Sequence, residues 1–161
     1  MIMKTLTKEK ASYLAGFIDA DGSLIGQIVK QKDYVLKYQV RITLTLVQKT
    51  SRKEFLMKWQ KLIGGTIRDR NDGISELNLV GRDSIMPILK QILPYIMIKT
   101  MQAKLILQIA EQLPLTKNSP ERFLDLCILT DRISQLNDSK KRLITSDVVR
   151  REFLILGFIK E

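Results

Sequence analysis

The sequence predicts an α+β fold in which one antiparallel sheet carries its helices on one face and leaves the other face open. Three observations predict it. The elements run in the order helix, two strands, helix, two strands, then further helices. Both strand pairs alternate apolar residues with polar or cationic ones, so each has one face to bury and one to expose. The chain also holds 27 Lys and Arg against 17 Asp and Glu, a net charge of +10, and Lys, Arg, Gln and Thr stand on those exposed faces.

The first helix takes Thr7 as N-cap and runs to about Asp21. Within it, residues Leu14–Gly22 read Leu-Ala-Gly-Phe-Ile-Asp-Ala-Asp-Gly. Half of this stretch is small and apolar, half carries Asp19 and Asp21, and Gly22 stops the helix. Helix C-termini favour cations, so two carboxylates in the last turn cost about 0.3–1 kcal/mol each unless something offsets them. A divalent metal there would do so. Ser12, Gly16 and Ala20 recur every four residues. Such a small stripe admits a second helix at close range, or the protein's own sheet.

Leu24 to Gln31 forms the first strand and Val35 to Gln48 the second. The second alternates Leu36, Tyr38, Val40, Ile42, Leu44 and Leu46 with Lys37, Gln39, Arg41, Thr43 and Thr45. Roughly 13 residues at about 3.4 Å each span on the order of 44 Å, more than the ~34 Å of one DNA turn. Ser51 and Glu54 have capping-box spacing ahead of a helix with Phe55, Leu56, Trp59, Leu62 and Ile63 on its core side. Gly64 and Gly65 end it. A second hairpin, 66–70 and 74–80, turns at Asn71, Asp72 and Gly73. Its open face holds Thr66, Arg68, Arg70, Glu76 and Asn78. The remainder is helical: a stripe from Ile85 to Leu93, a helix from Met101 to Leu113, one capped by Ser119 ahead of Pro120, and a last one capped by Ser146 and running through Leu156. The final residues, 153–161, read as an amphipathic tail.

Composition excludes several chemistries. At 45% hydrophobic and 27% charged residues, the chain is of ordinary globular type. The absence of histidine removes Ser-His-Asp and Cys-His mechanisms and zinc-histidine sites. The single cysteine, Cys127, forms no intrachain disulfide and is expected in the core. No apolar run has signal-peptide or membrane-spanning length. The positive excess calls for an anionic partner, nucleic acid first. A membrane surface is the weaker option, because the basic residues do not gather on one amphipathic helix.

The motif at residues 14–22, followed by strand-strand-helix-strand-strand, resembles the LAGLIDADG homing endonucleases. The match is to the single-motif, homodimeric branch, of the type encoded in organellar group I introns. It runs from about Ser12 to Asp147. The resemblance implies one endonuclease domain over residues 1–161, with an αββαββα core at about 7–136 and a DNA-contacting loop and helix at about 137–161. It implies a saddle-like antiparallel sheet that binds DNA. Asp21 matches the catalytic metal-binding carboxylate, and Ala20 a position whose backbone carbonyl faces metal. Gln48 and Arg52 match polar groups around the scissile phosphates, and Lys99 the lysine of the catalytic pocket. Gln27, Gln31, Tyr34, Gln39, Arg41, Thr43, Thr45, Arg68, Arg70, Glu76 and Asn78 match base-facing positions. Ser139 and Lys140 match a loop on the DNA backbone, where Leu143 departs from the basic residue of close relatives. The branch also implies an organelle, chloroplast rather than mitochondrion; no targeting signal is visible.

Phosphodiester hydrolysis needs a nucleophilic water and charge stabilisation at phosphorus, which two metals about 3.5–4 Å apart can supply. Mg²⁺ on carboxylates suits a chain without histidine; Mn²⁺ should substitute, and Ca²⁺ should bind without supporting cleavage. One motif gives one Asp21, and two strands need two. A homodimer through Ser12, Ala15, Gly16, Asp19 and Ala20 would supply the second, on a pseudo-palindromic double-stranded target of roughly 20 bp. No membrane or small-molecule substrate is expected. Asp19 is expected to hydrogen-bond around the motif, and Lys99, beside Ile98 and Met101, to be partly buried. The alternative on the same fold is a non-cleaving intron maturase or a DNA-binding regulator.

Overall fold

Helix α1, Lys8–Asp21, starts where the sequence places it: the Thr7 side chain accepts from the Lys10 amide at 3.2 Å. The computed structural model describes residues 5–138 and 144–161. Strand β1, Gly22–Lys30, follows α1 directly and pairs antiparallel with β2, Tyr38–Lys49. Helix α2, Lys53–Ile63, leads into β3, Thr66–Asp69, and β4, Ile74–Val80. The sheet order is β1-β2-β4-β3, antiparallel throughout. Helices α3 (Arg82–Ile92), α4 (Thr100–Gln112), α5 (Pro120–Leu136) and α6 (Ser146–Ile155) complete the described chain.

The period-two pattern decides which face is covered. Leu24, Gly26 and Ile28 of β1, Val40, Ile42, Leu44 and Leu46 of β2, and Leu77 and Leu79 of β4 are buried against the helices. Trp59 and Cys127 are core residues as expected. Among the described residues, no helix covers the other sheet face. Gly22 stops α1 for a reason other than the usual left-handed cap: its backbone is extended (φ −103°). A Cβ there would lie 2.6 Å from the Ile18 Cα, so chain reversal at this point leaves room for hydrogen alone.

Four expectations are corrected. Strand β2 begins at Tyr38, not Val35, because residues 31–37 fold into a turn closed by Gln31 N donating to Lys37 O at 2.8 Å, with Lys37 at φ 66°. Its 12 residues still span about 41 Å. The capping box at Ser51 does not form. Residues Thr50–Arg52 make a 3-10 turn, Arg52 takes the N-cap position, and the Lys53 amide finds the Thr50 carbonyl. The last helix is capped by Thr145, since the Ser146 hydroxyl is engaged by Asp131 at 2.5 Å. Residues 153–161 are not a tail: Phe153 is fully buried against Tyr38, Phe123 and Phe158. The Tyr38 hydroxyl donates to the Glu152 carboxylate, and Lys30 pairs with Glu152 at 3.6 Å, which docks α6 on the sheet.

Gly22→Ala forces the backbone of α1 and β1 apart. Urea unfolding should show a loss of about 1–3 kcal/mol, and an unchanged midpoint would mean that the close approach at Ile18 does not constrain the fold.

Candidate functional site

Helix α1 ends with two carboxylates and no basic residue in its last turn. The fold gives the two acids different surroundings. Asp19 turns to the segment before α4: one oxygen accepts from the Met97 amide at 2.8 Å and the other from the Lys99 amide at 3.0 Å. Burial alone would raise its pKa. The amides of Met97, Lys99 and Ile98 and the Lys99 charge outweigh that, and the carboxyl lies below its ordinary 3.8. Lys99 answers in the other direction, donating through Nζ to the carbonyls of Ile18 at 2.8 Å and Gly22 at 2.5 Å. The cation that the helix dipole favours therefore comes from 77 positions further along the chain. Lys99 is half-buried, but Ile98 and Met101 do not cause it; they are 74% and 51% exposed. Asp21, in contrast, is exposed and makes no hydrogen bond or ion pair with the described residues.

The β1–β2 register sets Gly22 opposite Leu46 and so brings the end of α1 beside the end of β2. Gln48 stands there. Its Oε1 accepts from Arg52 Nε at 3.0 Å and from the Lys49 amide at 2.8 Å. The Gln48 amide nitrogen and the outer guanidinium nitrogens of Arg52 remain as donors. An ammonium has three N–H groups, so Lys99 keeps one beyond its two carbonyls. From this end a groove of about 600 Å³ runs along the free edge of β1, lined among others by Lys99, Gln27, Lys30 and Asn137.

A divalent cation fits the donor set at this end. Asp21 offers a hard, exposed oxygen at the negative end of a helix, and the Ala20 carbonyl belongs to the last turn, where intrahelical partners run out. No group of three or more metal-ligating His, Cys, Asp or Glu side chains occurs among the described residues.

On the open sheet face the register arranges side chains in rows across the strands. Val29 stands beside Gln39 and Gln27 beside Arg41; Ser23, Thr45, Asn78 and Thr66 make a row of four; Val47, Glu76 and Arg68 make the next. Gln31 and Tyr34 lie in the turn beyond β1, with Tyr34 exposed. Thr43 is half-buried. Thr45 departs from the expectation of a base-facing residue: it is buried, and its hydroxyl donates to Asn78 Oδ1 at 2.7 Å. Arg41 makes no ion pair among the described residues, whereas Arg70 lies 3.2 Å from Glu76 and 2.5 Å from Asp72, and Arg68 is 3.6 Å from Glu76. Thr66 stands on this face as the alternation of the hairpin predicts, and Ser23 shares it, a position that its alternation with Leu24 also signals. Ser139, Lys140 and Leu143 lie outside the described residues.

The small stripe of α1 does not face the protein's own sheet. Ser12, Gly16 and Ala20 are exposed, and a Cβ on Gly16 would meet nothing within 4 Å. Ala15 is corrected: it is fully buried in its own chain and lies behind this surface. Asp19 is occupied by the amides described above.

A family model described as LAGLIDADG endonuclease matches residues 14–113. The chain is 46% identical to DNA endonuclease I-CvuI of Chlorella vulgaris, over 93% of each chain. It is 44% identical to DNA endonuclease I-CreI of Chlamydomonas reinhardtii, over 89% of this chain and 88% of that one. Among solved structures it is similar to the homing endonuclease I-CvuI in complex with its target in the presence of Ca, with TM-score 0.90, 44% identity and coverage of 94% and 97%. It is also similar to that protein on the I-CreI target in 2 mM Mg, where the DNA is not cleaved, with TM-score 0.91, 45% identity and coverage of 95% and 98%.

Two outcomes follow from the charges. Asp19 has a lowered pKa, so its contribution to stability is complete above the ordinary 3.8 and is lost as pH falls through the lower folded value. Asp19→Asn should therefore be less stable than the parent at neutral pH, with the gap closing in acid below 3.8; a gap independent of pH contradicts the assignment. Glu76→Gln releases Arg68 and leaves Arg70 paired with Asp72 alone. Titration of a random-sequence duplex should show about five- to tenfold tighter binding and a salt slope steeper by about 1–2.

Proposed function

The chain belongs to the LAGLIDADG endonuclease family, and from that premise we propose how its residues divide the work of a site-specific, divalent-metal-dependent DNA endonuclease. The observation that carries the reading is Asp21, an exposed and unpartnered carboxylate at the end of α1, directly beside the open stripe of Ser12, Gly16 and Ala20. Asp21 binds the cation with its carboxylate, and the Ala20 carbonyl adds a second oxygen. When bound, a divalent ion supplies Lewis-acid stabilisation of the phosphate charge. Arg52 and Gln48, joined at 3.0 Å, donate their remaining N–H groups to the scissile phosphate and to the attacking water. Lys99 fixes the α1 carbonyls and directs its third N–H toward the developing charge. With no histidine in the chain, the proton of the attacking water leaves to neighbouring water, and Gln48 and Arg52 act as hydrogen-bond donors that keep their own protons.

The double strand lies on the open sheet face. Gln27, Gln39, Arg41 and Thr43 contact bases along β1 and β2, with Gln31 and Tyr34 at their far end, while Arg68, Arg70, Glu76 and Asn78 do so from the second hairpin. Arg41, without a protein counter-ion, is suited to guanine or phosphate. Ser139 and Lys140 are assigned to the DNA backbone on the family resemblance. The chain acts as a homodimer: two α1 stripes pack across a two-fold axis, the two Asp21 carboxylates come together, and each subunit reads half of a pseudo-palindromic site of roughly 20 bp. The relatives from Chlorella and Chlamydomonas support an organellar setting, and the chloroplast is our reading. The metal is Mg²⁺, with Mn²⁺ as a substitute and Ca²⁺ binding without cleavage. Because I-CvuI leaves the I-CreI target uncleaved in 2 mM Mg, activity is best measured on duplexes that the protein itself selects from a random library.

With Mg²⁺ and such a duplex, Asp21→Asn should bind as the parent does while single-turnover cleavage falls by about a hundredfold or more; cleavage at the parental rate would remove Asp21 from the metal site. Gly16→Leu should leave folding intact, since among the described residues nothing lies within 4 Å of an added Cβ and glycine costs about 0.8–1 kcal/mol in a helix interior. In sedimentation it should turn the dimer into a monomer, whereas a variant that remains dimeric, or a parent that is monomeric on DNA at micromolar concentration, overturns the seam.

A further inference from the structure

On the helix-facing side of the sheet, behind the second hairpin, a chain of polar side chains joins strands β3 and β4 to the 3-10 turn after β2 and the start of α2. Ser75 of β4 is fully buried and lies opposite Gln48 of β2 and Asp69 of β3. Its hydroxyl donates to Asp69 Oδ1 at 2.7 Å and sits 2.9 Å from Thr50 Oγ1. With the Ser75 proton committed to Asp69, Thr50 is the donor to Ser75. The other Asp69 oxygen accepts from Lys53 Nζ at 2.8 Å, at the first residue of α2. Lys53 and then Ser75 hold the Asp69 carboxyl below its ordinary range, so the chain from Thr50 through Ser75 ends on a charge. A backbone bond from Thr50 N to Gly73 O at 2.9 Å runs alongside it.

The sequence positions give this chain its meaning. Thr50 stands between Gln48 and Arg52. Asp69 stands between Arg68 and Arg70, with its side chain on the opposite face of the strand. Strand β3 is a four-residue edge strand whose side chains are all exposed or half-buried; such a strand opens easily unless something besides its ladder holds it.

We infer that the Thr50–Ser75–Asp69–Lys53 network is a positioning device that ties the Gln48–Arg52 segment to the β3–β4 hairpin, so that the groups at the scissile phosphate and the arginines that read bases hold one geometry. The inference rests on the phosphate role proposed above for Gln48 and Arg52. None of the four network residues needs to touch DNA. The network transmits position: a hairpin seated on its correct bases holds Gln48 and Arg52 in place, and a displaced hairpin carries them off target, where an error of about 1 Å can cost on the order of a hundredfold in rate.

Thr50→Val removes the hydroxyl with little change of shape, and Thr50→Ser keeps it. The probe is a duplex recovered by the parent from a random library, with cleavage followed in a single turnover at saturating protein. Thr50→Val should cleave about tenfold more slowly with affinity changed by less than about threefold, and Thr50→Ser should return to within about threefold of the parent. Parental cleavage by Thr50→Val, failure of Thr50→Ser to restore it, or a rate that falls only as far as affinity and melting temperature fall overturns the inference. Amide hydrogen exchange on the free protein gives a second readout. Thr50→Val should accelerate exchange in residues 49–53 and 67–75 together, and acceleration in one segment alone breaks the tie. If Gln48→Ala and Arg52→Ala cleave at the parental rate, the phosphate assignment fails, and the exchange measurement still decides whether the network couples the two segments.

Discussion

Everything at the functional end of this molecule depends on a reciprocal clamp between the last turn of α1 and the segment before α4. Asp19 accepts the amides of Met97 and Lys99, and Lys99 donates to the carbonyls of Ile18 and Gly22. Each side supplies the group that the other lacks. A helix C-terminus has carbonyls without partners and a negative dipole end, and the incoming segment has amides without carbonyls. The clamp satisfies both and cancels one acid against one base. Asp21 is left as the single uncompensated carboxylate at a negative helix end, which is an environment that attracts a cation. The clamp also fixes the direction of the helix axis at Asp21, because Gly22 lets the chain reverse where an added Cβ would lie 2.6 Å from the Ile18 Cα.

The sheet face shows the same economy of charge. A chain with net charge +10 would attract any duplex through phosphate contacts alone, and that attraction carries no sequence information. Arg68 and Arg70 do not stand free on the face. Glu76 and Asp72 hold them at 2.5–3.6 Å. An arginine that must leave a carboxylate for a base gains only the difference between the two contacts, so a poor base partner is rejected more strongly than it would be by an unpaired arginine. Arg41, which has no such partner among the described residues, would add affinity more than discrimination if it meets DNA as proposed. The two halves of the face therefore differ in kind, β2 with a free arginine and the hairpin with restrained ones.

Local signals were legible in the sequence and competing partners were not. Thr7 and Ser119 cap their helices, the period-two runs form the strands, and Asn71-Asp72-Gly73 makes its turn, because each depends on residues a few positions apart. Ser51 and Glu54 satisfy the same local rule and fail: a 3-10 turn supplies the carbonyl that the helix amide needs, and Thr50 is held by Ser75. Lys99 as a cap for α1 involves residues 77 and 81 positions apart, beyond any periodicity. Thr45 reads as an exposed residue by alternation, yet Asn78 of a neighbouring strand draws its hydroxyl into the sheet. Phe153 belongs to a segment with the look of a tail, and only the tertiary position of Tyr38 and Phe123 makes it core. Of the candidate site, residue types and faces were readable, while the hydrogen-bond partners that determine which groups remain available were not.

Two deficits of the isolated chain meet at α1. Gly16 weakens the helix by about 1 kcal/mol relative to alanine, and no contact among the described residues offsets it, since an added Cβ would meet nothing within 4 Å. Asp21 is one carboxylate where a metal centre for two strand cuts needs more. Both deficits lie on one helix, with Ala20 between them, and one operation removes both. A second α1 across a two-fold axis would fill the space at Gly16 and bring a second Asp21 to the first. Under that symmetry the clamp acts twice: any tilt that a weakened Lys99 or Asp19 allows at one helix end is repeated in the partner, and the separation of the two carboxylates changes by the sum. Small errors at the clamp would thus be amplified at the metal, which is a physical reason for spending Asp19 and two of the three Lys99 N–H groups on orientation.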